Sequence, residues 1–201
     1  MAMPPPVPAG FAVPDFTLPL NVDDELRAVP VSSTTKGMFL GSLLTLAEKV
    51  GRKPPGRGPY VAFKDYADRE HVSLLAEVAA GVFPNLPPRE ALRQLGQGSY
   101  DALSSSLIGK VVFGVLGKDI NAVARLTPKA YSISGKGTSA TIVTAGEGHS
   151  HIALEGQVAL ADCYHYGAFE GVLDFCGVKG VVYFKKLNAT RVEFFTTWGD
   201  S

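Results

Sequence analysis

The chain has 201 residues, with 19 basic and 19 acidic side chains, and 46% of its residues are apolar. This length and apolar content predict a single globular domain that buries a real core. Zero net charge argues against a nucleic-acid partner, since such binders carry a basic excess, and two cysteines exclude a disulfide scaffold or a four-cysteine zinc site. No apolar run approaches the ~18 residues that cross a bilayer, so no transmembrane segment is expected.

The first thirty residues differ from the rest of the chain. They contain seven of the 14 prolines and show no helical or strand period. Because proline fixes φ and removes a backbone donor, residues 1–30 are predicted to be a flexible, extended arm. Two interpretations stay open for this arm, a disordered leader or a docking segment for a protein partner. Residues 31–201 are predicted to form one α+β domain.

Helical spacing dominates the first half of that domain. Residues 33–35 offer N-caps, Gly51 and Pro84 end two of the predicted helices, and Asp119 caps the last one. Gly96 and Gly98 are expected to interrupt the helical pattern. The predicted helical ranges are 33–50, 68–83, 88–95, 99–117 (as a pair) and 119–126.

From Pro128 the pattern changes to short β-rich runs separated by glycines. The pattern predicts an antiparallel meander formed by YSIS, SATIVTAG and SHIALEG, and then a helix over YHYGAFEGVLDFCG. It also predicts a terminal hairpin formed by VVYFKKL and TRVEFFTTW. Helices and strands in separate blocks indicate an α+β fold, with an N-terminal helical block followed by an antiparallel sheet in the order β-β-β-α-β-β. Phe194 and Phe195 point to opposite faces of the last strand, so one of them must pack outside the main core.

Charge is distributed unevenly along the neutral chain. Residues 110–136 carry five basic groups and one acid, whereas residues 137–178 carry five acids and neither lysine nor arginine. Two faces of opposite sign suit self-association or a charged partner, and a homodimer is expected. An ordinary solvated surface is the alternative explanation.

The local sequence resembles a myxobacterial family. The resemblance is carried by three segments, TTKGMFLGSLLTLAEKVG, YVAFKDYADREHVSLL and REALRQLGQGSYDALSSSLIGKVVFGVLG. It continues through TPKAYS to the segment ending in TRVEFFTTW. It covers residues 31–198. That family occurs in many copies per genome and has no assigned activity, so the resemblance supplies no catalytic residues.

A looser resemblance points to ligand-binding folds. The order of elements is similar to that of the heme nitric-oxide/oxygen-binding domains, whose N-terminus resembles KGMFLGSLLTLAEKV. A helix with G-x-x-E-G followed by two strands is similar to the end of vinyl-reductase-like domains, which share this layout with TRAPP subunits. In such relatives an apolar pocket between helices and sheet holds heme, an acyl chain or another small molecule. The resemblance implies a pocket here, and the side chains expected to line it are Phe39, Leu43, Phe113, Leu116, Phe169 and Leu173.

Two departures argue against a heme in the usual mode. A heme domain of this kind needs an axial histidine in the helix before the first strand, and GKDINAVARLTPKAY has none. The Tyr-x-Ser-x-Arg signature for the heme propionates is also absent, because YSISG offers Tyr131 and Ser134 without an arginine in register. No cofactor is predicted.

The segment EGHSH is the local candidate for a metal site. Alternation along a strand would place Glu147, His149 and His151 on one face, and two imidazoles with a carboxylate can bind zinc or another divalent ion. The flanking Gly146 and Gly148 fit a turn instead, and a fourth ligand is not evident.

Cysteine chemistry gives a second cluster, DCYHYG. Cys163 and His165 could form a nucleophile–base pair, but a cysteine just before a helix is more often a small buried hydrophobe. Cys163 and Cys176 are expected to be free thiols in a reducing, cytoplasmic compartment because no export signal is seen.

Three classes of function follow from these observations. The first is a non-enzymatic module for small-molecule binding or signalling, with an apolar pocket between helices and sheet as its binding site. The second is a structural or assembly protein that recruits partners through its charged faces and the proline-rich arm. The third is an enzyme that uses Cys163 with His165, or a metal at His149 and His151. We expect the first class.

Overall fold

The computed structural model of the protein describes residues 5–54, 56–105 and 117–199, and the backbone alone for residues 100–105. In these ranges the helices are α1 (Val22–Ala28), α2 (Gly37–Lys49), α3 (Asp68–Val82), α4 (Pro88–Ser105), α5 (Ile120–Arg125), α6 (Thr127–Ser134) and α7 (Tyr166–Cys176), with a π-helical turn (Ala161–His165) directly before α7. The strands are β1 (Thr34–Lys36), β2 (Asp65–Ala67), β3 (Gly135–Lys136), β4 (Thr138–Gly146), β5 (His149–Gly156), β6 (Lys179–Asn188) and β7 (Arg191–Gly199).

The strands form two antiparallel sheets. The larger sheet has the order β4-β5-β7-β6, and the smaller one has the order β2-β1-β3. Helices fill most of the chain before β3, and the larger sheet follows with α7 inserted between its second and third strands. The predicted α+β class is therefore confirmed, and the hairpin of β6 and β7 lies where the sequence places it.

Three local predictions were wrong. YSIS belongs to helix α6, because Pro128 starts that helix in its first turn, where its missing N–H costs nothing. Residues 34–36 are a strand that pairs with β2 and β3 instead of an N-cap. Helix α4 continues through Gly96 and Gly98. The second member of the helix pair predicted within 99–117 lies largely outside the described residues.

Two hydrophobic clusters form the core. One lies among α2, α3, α4 and the π-helical turn, and its fully buried members include Leu40, Leu74, Leu92 and Leu95. The other lies between α7 and the larger sheet, where Phe169 stacks on Phe194 with ring centroids 4.3 Å apart. Among the helices of the described ranges, none has the length and apolar character needed to span a membrane.

Glycines bring α4 and α7 into close contact. Gly96 of α4 faces the backbone of the π-helical turn, while Gly167 and Gly171 of α7 face the carbonyl groups of Arg93 and Gln97. A methyl group on any of the three would overlap backbone atoms across the interface. The close approach explains why α4 keeps a glycine in its interior despite the poor helix propensity of that residue.

The N-terminal segment lies against the folded body. Ala12 exchanges two backbone hydrogen bonds with Phe184 of β6, at 3.1 and 2.9 Å. The Phe16 ring packs 5.2 Å from that of Tyr166 and lies 4.8 Å from the Arg93 guanidinium. Much of the segment expected to be a free arm thus contacts the domain, because its few aromatic side chains find apolar partners there.

Phe11 of this segment covers the outer face of the larger sheet. Phe194 and Phe195 point to opposite faces, as predicted, and Phe195 lies on the side away from α7. The Phe11 ring lies 5.9 Å from that of Phe195 and 5.3 Å from that of His151. The chain's own N-terminal segment therefore buries the aromatic ring that the main core leaves out.

Candidate functional site

A cavity of about 510 Å³ opens between the helices and the strands. Apolar side chains from α3, α5 and α7 form much of its wall, and they include Val72, Leu75, Val123 and Phe169. Its volume lies within the range of about 300–1,000 Å³ that is usual for small-molecule sites. A predominantly apolar wall of this size can bury most of a ligand that is itself largely apolar.

The structure places the six predicted pocket residues in different surroundings. Phe39 and Phe169 line the cavity. Leu43 lies in the helical core, and Leu173 packs in the cluster between α7 and the sheet. Phe113 and Leu116 lie outside the described residues.

A tyrosine–histidine pair contributes to the polar part of the cavity wall. The hydroxyl of Tyr131, on α6, lies 2.8 Å from Nδ1 of His165, on the π-helical turn. Their rings stack with centroids 5.8 Å apart. Burial lowers the pKa of His165 to about 4 and raises the pKa of Tyr131, so both side chains are neutral at pH 7.

The hydroxyl proton of Tyr131 favours one direction for this contact. A tyrosine hydroxyl has one proton to donate, and Nδ1 of His165 is the acceptor it reaches among the described residues. Donation from Tyr131 to Nδ1 uses this proton, and in that tautomer the neutral imidazole carries its own proton on Nε2. Nε2 has no partner among the described residues and remains accessible, which leaves one N–H donor on the cavity wall.

Charged side chains surround the cavity on its exposed side. Lys36, Lys129 and Lys136 all contribute to the lining. Lys36 lies 2.5 Å from a carboxylate oxygen of Asp65, and Lys136 lies 3.8 Å from the other. Lys129 has no ion-pair partner in the described part of the chain. Lys36 and Lys136 therefore share one carboxylate while Lys129 shares none, and this side of the cavity carries an excess of positive charge.

A second histidine lines the cavity with a different role. Nδ1 of His71 lies 3.5 Å from the buried carboxylate of Asp68, one turn earlier on α3. Its Nε2 is buried and has no hydrogen-bond partner among the described residues. Because this atom has almost no accessible surface, it does not open into the cavity as His165 does.

The predicted metal ligands do not line this cavity: His149 and His151 lie on the outer sheet face, and Glu147 lies in the turn between β4 and β5. His149 and His151 share one face of β5, and both contact the Phe195 ring. Nε2 of His151 lies 3.0 Å from Glu193 of β7, and Nδ1 of His149 lies 3.4 Å from the main-chain oxygen of Glu147. Across the described ranges, no three His, Cys, Asp or Glu side chains are arranged to hold a metal ion. Metal binding here remains a prediction.

The two cysteines are free and buried. Burial raises the pKa of the Cys163 thiol and raises that of Cys176 to about 11. The Cys163 sulfur lies 3.5 Å from the Leu160 carbonyl oxygen, while the Nδ1 of His165 is occupied by Tyr131. A raised thiol pKa is the opposite of what an activated cysteine nucleophile requires.

The family of the chain is shown by its sequence. Residues 28–199 match the model of the family described as "Protein of unknown function (DUF2378)". The chain belongs to the DUF2378 family. The resemblance to a family without an assigned activity is thereby confirmed. Among curated proteins, no match to this DUF2378 member is found.

Solved structures of H-NOX proteins share the fold. An Fe(II) H-NOX protein from S. oneidensis aligns with a TM-score of 0.63 at 14% identity, over 83% of this chain and 97% of that one. An unliganded Fe(II) H-NOX protein from K. algicida gives 0.61 at 14% identity, over 83% and 97%. An oxygen-binding H-NOX domain related to soluble guanylate cyclases gives 0.60 at 15% identity, over 82% and 95%. At such identities the likeness shows the fold alone.

The cavity residues of this DUF2378 member do not fit the heme that this fold implies. Heme iron takes an axial ligand such as an unprotonated histidine nitrogen. Helix α5 brings Val123 to the cavity and contains no histidine. Nε2 of His71 has almost no accessible surface, and Nε2 of His165 carries the proton in the tautomer in which Tyr131 donates to Nδ1. The cavity therefore suits a ligand that accepts a hydrogen bond better than one that needs a lone pair.

Sequence reasoning missed the Tyr131–His165 pair. The two residues lie 34 positions apart, and Tyr131 was expected on a strand, so no spacing indicated a contact. One signal did exist for the charged side of the cavity. Lys129 and Lys136 both come from the basic block 110–136 that stands out in the sequence.

Proposed function

We propose that this protein is a non-enzymatic binding module whose helix–sheet cavity takes up an apolar small molecule. The observation that carries the proposal is the cavity of about 510 Å³ with its mostly apolar wall. Burial of apolar ligand surface in such a wall supplies a favourable free energy of about 25 cal/mol per Å². A signalling role for the bound state belongs to the same proposal.

Two further observations support binding over catalysis. The raised thiol pKa of Cys163 disfavours a cysteine nucleophile. The fold is shared with an H-NOX domain that is described as oxygen-binding, which makes uptake of a small ligand between helices and sheet a reasonable use of this architecture. A homodimer, a protein partner for residues 1–30 and a cytoplasmic location also remain predictions.

Titration with N-phenyl-1-naphthylamine, a neutral apolar dye that fluoresces in apolar surroundings, tests the proposal. We expect saturable, equimolar binding to the folded protein. Ala168 of α7 lines the cavity, so Ala168→Trp should fill part of it and remove most of the binding. Ala189, in the exposed turn between β6 and β7, provides the matched control Ala189→Trp, which should bind as the natural chain does.

The two tryptophan variants separate a specific cavity from general stickiness. Near-ultraviolet circular dichroism of both variants checks that each remains folded. If the natural chain fails to bind the dye, or if both variants bind it equally well, the cavity is not a binding site and the proposal fails.

A further inference from the structure

We infer that the ligand of this cavity is an apolar molecule with one anionic, hydrogen-bond-accepting end, and that the Nε2–H of His165 is the donor that selects it. The inference rests on the proposed binding function and adds the chemical class of the ligand. It also assigns the specificity-determining residue. Three features of the cavity carry it: one oriented donor, a positive side and apolar walls.

The hydrogen-bond donor of the cavity is held in a fixed position. His165 belongs to the π-helical turn, and its other ring nitrogen is held by the Tyr131 hydroxyl at 2.8 Å. The two rings stack, which limits rotation of the imidazole. An N–H group in an apolar wall favours ligands that accept a hydrogen bond, since a donor left without a partner costs free energy.

The charged side chains that line the cavity narrow the class of ligand group that can accept the hydrogen bond from His165. Lys36 and Lys136 share the single carboxylate of Asp65, and Lys129 has no ion-pair partner within the described ranges. The other charged group of the lining, Asp68, lies beside His71 and also interacts electrostatically with His165, so three ammonium groups face one carboxylate within the lining. A hydrogen bond to an anion is stronger than one to a neutral acceptor, so the lysines and His165 favour the same ligand group.

The walls define the rest of the ligand. Leu75 and Phe169 are buried core residues that also line the cavity, and the exposed Phe63 and Ile133 extend the apolar lining outward. A ligand that fills this space carries a bulky aliphatic or aromatic body. Carboxylates, sulfonates and phosphates all provide the required anionic end, and the shared chemistry is an oxyanion on an apolar body.

A matched pair of dyes tests this chemistry. 8-Anilino-1-naphthalenesulfonate and N-phenyl-1-naphthylamine have the same ring skeleton and differ by the sulfonate. His165→Phe removes the donor, so we expect the affinity for the sulfonate dye to fall about tenfold while the affinity for the neutral dye stays nearly unchanged. His165→Gln keeps an N–H donor and should restore part of the sulfonate affinity.

His149→Phe is the control, because His149 lies on the outer sheet face. Rising salt should weaken sulfonate binding to the natural chain and leave neutral binding unaffected, since the lysines are partly exposed. If His165→Phe weakens both dyes equally, or if salt affects neither, the inference is overturned while the apolar cavity stands. Failure of the neutral dye to bind the natural chain overturns the proposed function itself.

Discussion

The contact between α4 and α7 allows a quantitative test of the fold. A Cβ built on Gly167 would lie 2.8 Å from the carbonyl carbon and 3.0 Å from the Cα of Arg93, and closer still to the carbonyl oxygen. Ordinary contacts of this kind begin at about 3.4 Å. All three atoms belong to the backbone of α4, so no side chain can rotate away and the two helices would have to separate.

Gly167→Ala should therefore destabilise the protein by about 3 kcal/mol, the upper part of the range for inserting a methyl group into a packed interior. Gly98 is the matched control, because it is exposed on α4, the helix that Gly167 contacts, and a Cβ there meets nothing within 4 Å. Gly98→Ala should stabilise the protein by about 0.5–1 kcal/mol through better helix propensity.

Urea unfolding followed by the fluorescence of Trp198, the single tryptophan, measures both changes. This residue is 7% exposed and lies in the cluster between α7 and the sheet, so its emission reports the relevant packing. If the free energies of unfolding of the two variants differ by less than about 1 kcal/mol, well below the expected gap, the close approach of α4 and α7 is refuted.

Three other predictions follow from buried or paired groups. Burial lowers the pKa of His165 to about 4 from its ordinary 6.5, so the unfolded chain binds more protons between these values. Between pH 7 and pH 4 the free energy of unfolding of the natural chain should fall by about 3 kcal/mol more than that of His165→Gln. Urea unfolding at each pH measures both changes. Equal losses would contradict a buried neutral imidazole. Arg93→Met should lower the free energy of unfolding by about 2 kcal/mol, because it removes the bidentate partner of the Glu170 carboxylate. The guanidinium lies 2.7 and 2.8 Å from the two carboxylate oxygens. Thermal unfolding measures the change, and an unchanged midpoint would mean that the pair contributes nothing to stability. Phe11→Ala should speed hydrogen exchange of the Phe184 amide, which donates to the carbonyl oxygen of Ala12 in the N-terminal segment, and should leave exchange of the Phe194 amide unchanged. Unchanged exchange at Phe184 would show that Phe11 does not hold the segment in place.

Much of the fold could be predicted from apolar periodicity. Helices α2 and α3, the cap of α5 by Asp119, and the terminal hairpin all follow from local patterns, and the side chain of Asp119 accepts from the Asn121 amide at 2.9 Å as a cap should. The opposite directions of Phe194 and Phe195 follow from the period of a strand. Such features depend on neighbours within a few residues.

The errors arose where distant contacts decide the conformation. Residues 33–35 have good N-cap chemistry, yet pairing with β2 and β3 makes Thr34–Lys36 a strand. Gly96 looks like a helix breaker in sequence, but in α4 it provides room for the π-helical turn. From the sequence, Pro128 indicates the end of the helical region, although a proline equally fits the first turn of a helix.

The candidate site was predicted only in outline. A pocket between helices and sheet was expected, and Phe39 and Phe169 do line it. The polar part was not found, because the pairing of Tyr131 with His165 depends on α6 being a helix and on the π-helical turn facing it. Neither of these conditions leaves a local signature in the sequence.

Native mass spectrometry of the protein purified from its own source tests the central claim most directly. If the cavity is a binding site, the natural chain should carry an equimolar organic molecule that Ala168→Trp loses and Ala189→Trp retains. The molecule released on denaturation should have a largely apolar body. A mass equal to the bare chain for all three proteins, together with no uptake of the neutral dye, would contradict the account.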